Sequence, residues 1–563
     1  MTQGNNQLVA LDLARKQFGN LSHAELRLLR DAPRGKVAIC GPSNDENDSS
    51  YDARNSDHWG PEREIRAEII RWLCIDVHTR ELVDPKGIWV FGAKIVGQLD
   101  LSHMKVPFII SLAHCRIVED IDLGGLEIPE LDLAGTRARA INADQIRVNG
   151  SVFLTYPFQA DGGVSLMGGQ IGGDLLCNTA HFRNPPRSNV PGSGIALGAE
   201  RMVVRGSVFL RNGFYAEGLV SLKGAEIGGD LDCTTAAFRN PAQTLSFGGG
   251  VALGAEHVVT KGSVYFRNGF EADGDVDLIG AQIGGNLVCD HSTILGELTA
   301  ENVLIKGTFF WTGINSPEST TLDLINATVG TIEDDEKSWP RSGNLILDGF
   351  VYGRISGGPR DSKSRLRWIG RQKNFRSQPY TQLAKILNDQ ADGDGAKTVL
   401  VEMESKARAT SWSSLPWSWL VKETTGYGYY PDRALWGLIV LGGLGWIIFR
   451  RAQLAGTMIP TDEHSCEIFK QTGHTPDHYP PFSPSLYSLE NSLPLVKLGQ
   501  TDSWQPDPNA KSSSATNRRW TARLQNWISS PRILRRFIVI QILIGWILAT
   551  LFAAAVAGLI HKI

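Results

Sequence analysis

The chain has 563 residues, 42% of them hydrophobic, and a formal net charge of −3. That gives ample material for a core and argues against bulk nucleic-acid binding. Seven cysteines show neither Cys-x-x-Cys nor Cys/His ligand spacing, so no metal, redox pair or other cofactor is expected.

Residues 1–85 read as a helical N-terminal cap. Met1 to Gln7 is polar, and the first apolar stretch is broken by Asp12, Arg15 and Lys16, which does not fit a secretory leader. Ser22-x-x-Glu25 forms a capping box ahead of Leu26, Leu28 and Leu29. A second helix is predicted over Pro61 to Cys74, with Ile65, Ile69 and Leu73 on one face. The polar stretch from Asn44 to Asp57 between them is expected to be mobile.

Residues 86–357 repeat. Three blocks start at Gly150, Gly206 and Gly262, 56 residues apart, each opening Gly-Ser-Val and running on to Ile-Gly-Gly-Asp/Asn-Leu. Phe158, Phe214 and Phe270 share one column; Cys177, Cys233 and Cys289 share another, two coils apart and so out of disulfide reach. Each block divides into two coils of about 23 residues. In blocks one and two the second coil is lengthened by a polar loop bearing Arg183-Asn184-Pro185 or Arg239-Asn240-Pro241. Apolar runs of four or five residues ended by glycine predict short strands with tight corners, and Gly224, Gly228 and Gly229 exclude a helical repeat. The expected fold is mainly β, a right-handed parallel β-helix of about 11 to 12 coils, roughly 50 to 60 Å long. The columns Asp161/Glu217/Asp273 and Asp174/Asp230/Asn286 read as corner residues, because general acid–base work needs carboxylates in unequal environments.

Residues 358–430 read as a basic junction and a helical hairpin cap. Lys363, Arg365, Arg367, Arg371, Lys373 and Arg376 fall in a run without an acid, beside Trp368 and Phe375. This is either a solvated junction or a contact for anionic lipid or nucleic acid. Tyr380 to Asn388 and Ala396 to Arg408 predict two helices whose Leu383, Ile386, Leu387, Val399, Leu400 and Met403 cover the last coil, since its open strand edge would otherwise recruit other chains. Gly393-Asp394-Gly395-Ala396-Lys397-Thr398 lacks the Gly-Lys pair of a phosphate loop. Thr424-Thr425-Gly426-Tyr427-Gly428 looks like a potassium filter, but Lys422 and Glu423 precede it, so a glycine turn is expected.

Two transmembrane helices are predicted at 431–451 and 533–563, from uncharged runs at Ala434–Phe449 and Phe537–Ile560. The intervening loop, 452–532, holds a short amphipathic or re-entrant segment with Tyr487, Ser488, Glu490, Asn491 and Pro494, placed where two-helix channels keep a pore loop. Arg518, Arg519, Arg523, Arg532, Arg535 and Arg536 would hold that loop in the cytoplasm by the positive-inside rule. Translocating the long first domain without a leader is the less favourable event, so both termini and the solenoid are expected on the cytoplasmic side of a bacterial inner membrane.

Several motifs recur together: Trp59-Gly60-Pro61-Glu62-Arg63-Glu64-Ile65-Arg66 with Ile70-Arg71-Trp72-Leu73-Cys74; Gly-Ala-x-Ile-Gly-Gly-Asp-Leu-x-Cys from Gly224; Gly426-Tyr427-Gly428 with Pro431 and Arg433; and Tyr487-Ser488-Leu489-Glu490 with Leu493-Pro494-Leu495. In these, over nearly its whole length, the chain resembles a bacterial family of membrane-anchored, pentapeptide-like β-solenoid proteins often labelled membrane-associated oxidoreductases. The resemblance implies the architecture and membrane residence. Its redox label has no cofactor fingerprint here to rest on.

The leading expectation is a non-enzymatic, membrane-anchored rod that binds an unidentified protein partner along the edge bearing Arg183, Asn184, Arg211, Asn212, Arg239, Asn240, Arg267 and Asn268. A regular rod offers repeated contacts and hence avidity. The alternative is an oligomeric channel or pore gated by the solenoid, with Gly437, Gly442, Gly443 and Gly445 permitting close helix packing. A membrane-associated oxidoreductase comes third. Membrane lipid and further copies of the chain are the other expected partners; nucleic acid is not.

Overall fold

The computed structural model describes residues 3–43, 48–187, 194–241, 250–408, 415–493, 495–508 and 530–558. The chain divides into two compact units, Met1–Ala396 and Lys397–Ile563.

The first unit is a parallel β-solenoid of about 11 turns. Most strands are two or three residues long, as at Val208–Phe209, Glu226–Ile227 and Leu231–Asp232. Successive side chains on a strand point to opposite faces, so such a strand sends one residue inward and its neighbour outward. Four short strands per coil stack on their equivalents in the adjacent coils, giving sheets of 20, 10 and 11 strands. The 56-residue block has a direct structural origin in the register of the 11-stranded sheet. There Val164 pairs with Leu197, Leu197 with Val220 and Val220 with Leu253, so coils of 33 and 23 residues alternate. The longer coils carry the polar loops. After Val276 the next partner is Leu298, and the loop is gone.

Inside, the phenylalanine column is denser than the three in-register residues imply. Phe182 and Phe238, from the intervening coils, complete a fully buried stack of Phe158, Phe182, Phe214, Phe238 and Phe270, whose successive ring centroids lie 5.4–5.6 Å apart. Cys177, Cys233 and Cys289 are fully buried free thiols, and burial pushes all three well above the ordinary thiol range.

At the Gly-Gly corner the repeated polar residues bind coil to coil. The Asp174 carboxylate accepts from the Ser207 N–H (2.8 Å) and Ser207 Oγ accepts from the Asp230 N–H (3.0 Å). Asp230 in turn accepts from the Ser263 N–H (2.7 Å), and Asn286 Oδ1 from the Thr308 N–H (2.8 Å). The chains pass so closely here that a Cβ on Gly228 would fall 2.0 Å from the Arg205 carbonyl oxygen. The Asp174/Asp230/Asn286 column is therefore scaffolding.

At the N-terminal end the capping box forms as expected: the Glu25 N–H donates to Ser22 Oγ (3.0 Å) and the Ser22 N–H to Glu25 Oε2 (2.9 Å). Arg66 locks it by donating to both Glu25 oxygens, at 2.7 and 3.0 Å. The second helix starts later than expected, at Ala67–Ile75. Glu64–Arg66 is instead a strand paired in parallel with Lys94–Val96 and pinned by a Glu64–Lys94 ion pair of 2.9 Å; Ile65 is buried by that pairing. The stretch expected to be mobile is folded where it is described. Residues 48–58 form 3₁₀ turns capped by Asp48 and Asp52, and Tyr51 is buried edge-on to Phe91 at 4.9 Å.

The other end is closed by helices Ser362–Ile369 and Gln378–Asp389. Leu383, Ile386 and Leu387 face inward, and the glutamines of the second helix satisfy the open strand edge. Gln378 Nε2 donates to the Phe350 carbonyl (3.1 Å), Gln382 Nε2 to Tyr352 (2.7 Å) and Gln390 Nε2 to Ile355 (3.4 Å). Four helical residues rise about 6 Å and two strand residues about 6.6 Å, which is why Gln378 and Gln382 meet alternate carbonyls. The further expected helix is present as Gly393–Arg408 and runs across the boundary between the units.

Among its described residues the second unit contains two helices long and apolar enough to cross a membrane, Pro431–Leu454 and Pro531–Val556. Helix Leu415–Thr425 precedes the first. Between them Gly426, Tyr427 and Gly428 are all left-handed, with φ of 52°, 55° and 93°. The filter-like motif is thus a tight turn, as expected, and the buried Tyr427 hydroxyl reaches Ser418 Oγ at 2.8 Å. Beyond the first apolar helix, Met458–Pro460 pairs antiparallel with Trp504–Pro506. Phe449, Tyr487, Trp504 and Leu534 share a small core there.

Candidate functional site

The eight residues of the expected binding edge fall into two groups. Arg183 and Arg239 lie on the ten-stranded face, where register alignment runs Arg183, Glu217, Arg239, Asp273 on successive coils. The basic and acidic columns thus interleave into one ladder of alternating charge. Arg183 Nε bonds Glu217 at 3.0 Å, while Arg239 lies 3.6 Å from Glu271; both side chains are about half exposed. Asn184 and Asn240 close the bases of the two long loops. Their Nδ2 groups donate to the carbonyls of Ile195 and Val251, each at 2.7 Å, and their own carbonyls accept from the N–H groups of Gly194 and Gly250, each at 3.0 Å.

Arg211, Asn212, Arg267 and Asn268 sit at the neighbouring corner. Asn212 and Asn268 occupy left-handed backbone, φ 56° and 52°, a conformation asparagine tolerates. Arg211 pairs with Asp232 at 2.8 Å and stacks over Phe209, and Arg267 stacks over Tyr265 at 4.4 Å. Each asparagine therefore has a folding role, and at this corner Asn212 and Asn268 are exposed beside the half-buried Arg211 and Arg267.

The basic junction is mostly consumed in the fold. Arg365 is not available to lipid: it is fully buried, forks onto Asp334 at 2.6 and 2.8 Å, and donates to the Pro359 carbonyl at 2.6 Å. Trp339 and Trp368 flank its guanidinium at 5.7 and 5.5 Å, and the Trp339 indole also donates to Asp334 at 2.8 Å. Arg367 pairs with Glu336, Arg376 with Asp348, and Arg371 donates to the carbonyls of Trp339 and Pro340. Only Lys363 and Lys373 are exposed with no ion pair among the described residues.

The expected re-entrant segment is helix Pro484–Ser492, and it packs against both apolar helices. Pro494 lies outside the described residues. Tyr487, Ser488, Glu490 and Asn491 are all buried. The Tyr487 ring meets Phe449 edge-on at 4.7 Å. Glu490 accepts from the N–H groups of Gln500 and Thr501 and from the Thr501 hydroxyl at 2.8–3.0 Å, and Asn491 donates to the Tyr487 carbonyl. Ser488 Oγ donates to the Gly442 carbonyl (2.7 Å), and Gln541 Nε2 lies 3.0 and 2.8 Å from Ser488 Oγ and Ser492 Oγ.

Two glycines make this seat. A Cβ on Gly445 would fall 2.2 Å from Ser488 Oγ, and one on Gly545 would fall 2.4 Å from the Ser492 carbonyl oxygen. Gly442, Gly445, Gln541 and Gly545 all lie near the middle of their helices. The sequence pointed to the segment but not to Gln541, which is the fully buried partner of both serines.

One further feature escaped the sequence reading. A cavity of about 600 Å³ opens on the rod where residues 48–54 cross its first four coils, with Trp89, His114, Asp132, Arg137 and Tyr156 in its wall. The available signal was in the repeat: Tyr156-Pro157 stands where the next blocks have Asn212-Gly213 and Asn268-Gly269. Comparison of the chain with protein-family models, with curated proteins and with solved structures finds no match.

Proposed function

We propose that this chain is a non-enzymatic, membrane-anchored β-solenoid of the bacterial inner membrane whose rod, on the cytoplasmic side, captures a protein partner along the Arg183 to Asp273 face. The observation that carries this reading is the in-register ladder Arg183, Glu217, Arg239, Asp273. Alternating charges one coil spacing apart, about 4.8 Å, select a partner with the complementary alternation and reject one of uniform charge. The loop bases at Asn184 with Ile195 and Asn240 with Val251 lie beside the same edge.

The anchor reading of the second unit is supported by where its polarity goes. Ser488, Ser492, Glu490 and Gln541 bond one another or nearby backbone, whereas the exposed side chains of the two long helices include Trp436, Ile439, Val440, Ile447, Val539, Ile540, Leu543 and Ile547. An apolar exterior over an interior whose polar groups are hydrogen-bonded, Gln541 Oε1 excepted, suits a bilayer. A second reading, an oligomeric pore, draws on the short helix seated between two apolar helices, the placement a pore helix would need. The test of the first is capture by the full-length protein beside the Arg183→Glu/Arg239→Glu variant. The variant should lose the captured partner with its far-UV spectrum unchanged; unaltered capture removes the assignment.

A further inference from the structure

The corner that holds Asn212 and Asn268 in blocks two and three holds Tyr156 in block one, at the same left-handed geometry (φ 60°, against 56° and 52°). For an asparagine this backbone is cheap; for a bulky aromatic it is unfavourable. Burial does not repay it, because Tyr156 is 72% exposed. Other corners of the rod hold Thr179, Arg201, Thr235 and His257 in the same left-handed region, so what sets Tyr156 apart is its departure from the asparagines of its own column, where burial gives no reason for an aromatic.

Tyr156 stands at one end of the 600 Å³ cavity and the half-buried Trp89 at the other. Strand alignment takes Trp89 through Ser111 and Asp132 to Phe153, so the two rings belong to coils three spacings apart, about 14 Å. Between them the charged groups are already engaged. Asp52 pairs with Arg54 at 2.7 Å, Arg137 with Asp161 at 2.7 Å, and Asp132 accepts from Ser111 Oγ at 2.7 Å and from the Ala134 N–H at 2.9 Å. An anionic ligand finds no unpaired arginine here, while the Asp48 and Asp132 carboxylates are held by hydrogen bonds from neutral groups. The cavity instead offers two ring faces and a set of fixed, planar hydrogen-bonding groups, the combination that suits a ligand with apolar ring faces and hydroxyl edges.

We infer that this cleft binds a neutral oligosaccharide, with Tyr156 and Trp89 as the platforms for its rings and Asp132, Arg137 and Gln159 as partners for its hydroxyl groups. Arg137 and Gln159 in the cleft wall lie on the same ten-stranded face, two coils and one coil before Arg183, but the variants that test the two readings share no residue, so the readings stand or fall separately. The test is calorimetric titration of the full-length protein in detergent with maltotetraose, cellotetraose and chitotetraose, and with ATP as the anionic probe. The decisive variants are Tyr156→Asn alone and Tyr156→Asn with Pro157→Gly, the second restoring the residues of blocks two and three. At least one neutral probe should bind, the variants should weaken it tenfold or more, and their melting temperature should be unchanged or raised. Absence of binding by all three sugars, preference for ATP, or unaltered affinity in the variants overturns the inference. A lowered melting temperature would show tyrosine to be there for the fold and would overturn it equally.

Discussion

The rod and the helical unit use polar residues in opposite ways, and the difference decides how much each reveals. In the rod a polar residue recurs with the coil, so its role can be checked against its equivalents: Asp174 and Asp230 do the same work, as do Asn184 and Asn240. Departures from the pattern then become informative, as at Tyr156. In the helical unit nothing recurs. Its polar residues meet across separations of about 50 positions, as Ser488 and Gln541 do, and each contact is singular.

The largest expected effect lies where the rod departs from its own habit and buries a charge pair. Replacing Arg365 with Ala strands Asp334 in the core and should cost about 3–5 kcal/mol, read by chemical denaturation. If stability holds and only vesicle binding falls, Arg365 is a lipid contact and the closed end of the rod is misassigned. Next comes the helical unit. Gly445→Ala places a methyl group against Ser488 and Gln541, and should destabilise the seat by about 1–3 kcal/mol and expose Pro484–Ser492 to protease. Gly443→Ala, with open space around its Cβ, should do neither. The smallest effect is again in the rod. Asn240→Ala removes one loop closure and should cost about 1 kcal/mol, matched by Asn184→Ala if the two coils are equivalent.

Regularity made the solenoid readable: glycine corners, the Phe158/Phe214/Phe270 column and the loop insertions all follow from one pattern. The capping helix was readable for a similar reason, since an open strand edge must be covered. Arg365 was not, because a run of basic residues looks like a solvated surface until Asp334, 31 positions upstream, is brought beneath it. The same holds for residues 48–58, whose polar composition hides Tyr51, the one large residue that docks them. For the short helix, amphipathicity gave its place, but which face turned inward depended on the notches at Gly445 and Gly545. In the candidate edge the arginines were found and their acidic neighbours were found, yet their interleaving required the strand register.

The claim that the helical unit anchors and the rod recognises is tested most directly by ion flux from liposomes holding the inserted full-length protein, beside a variant lacking residues 483–500. The account predicts flux no greater than in empty vesicles for both. Flux through the full-length protein that disappears on the deletion would contradict it and make the short helix part of a conducting path.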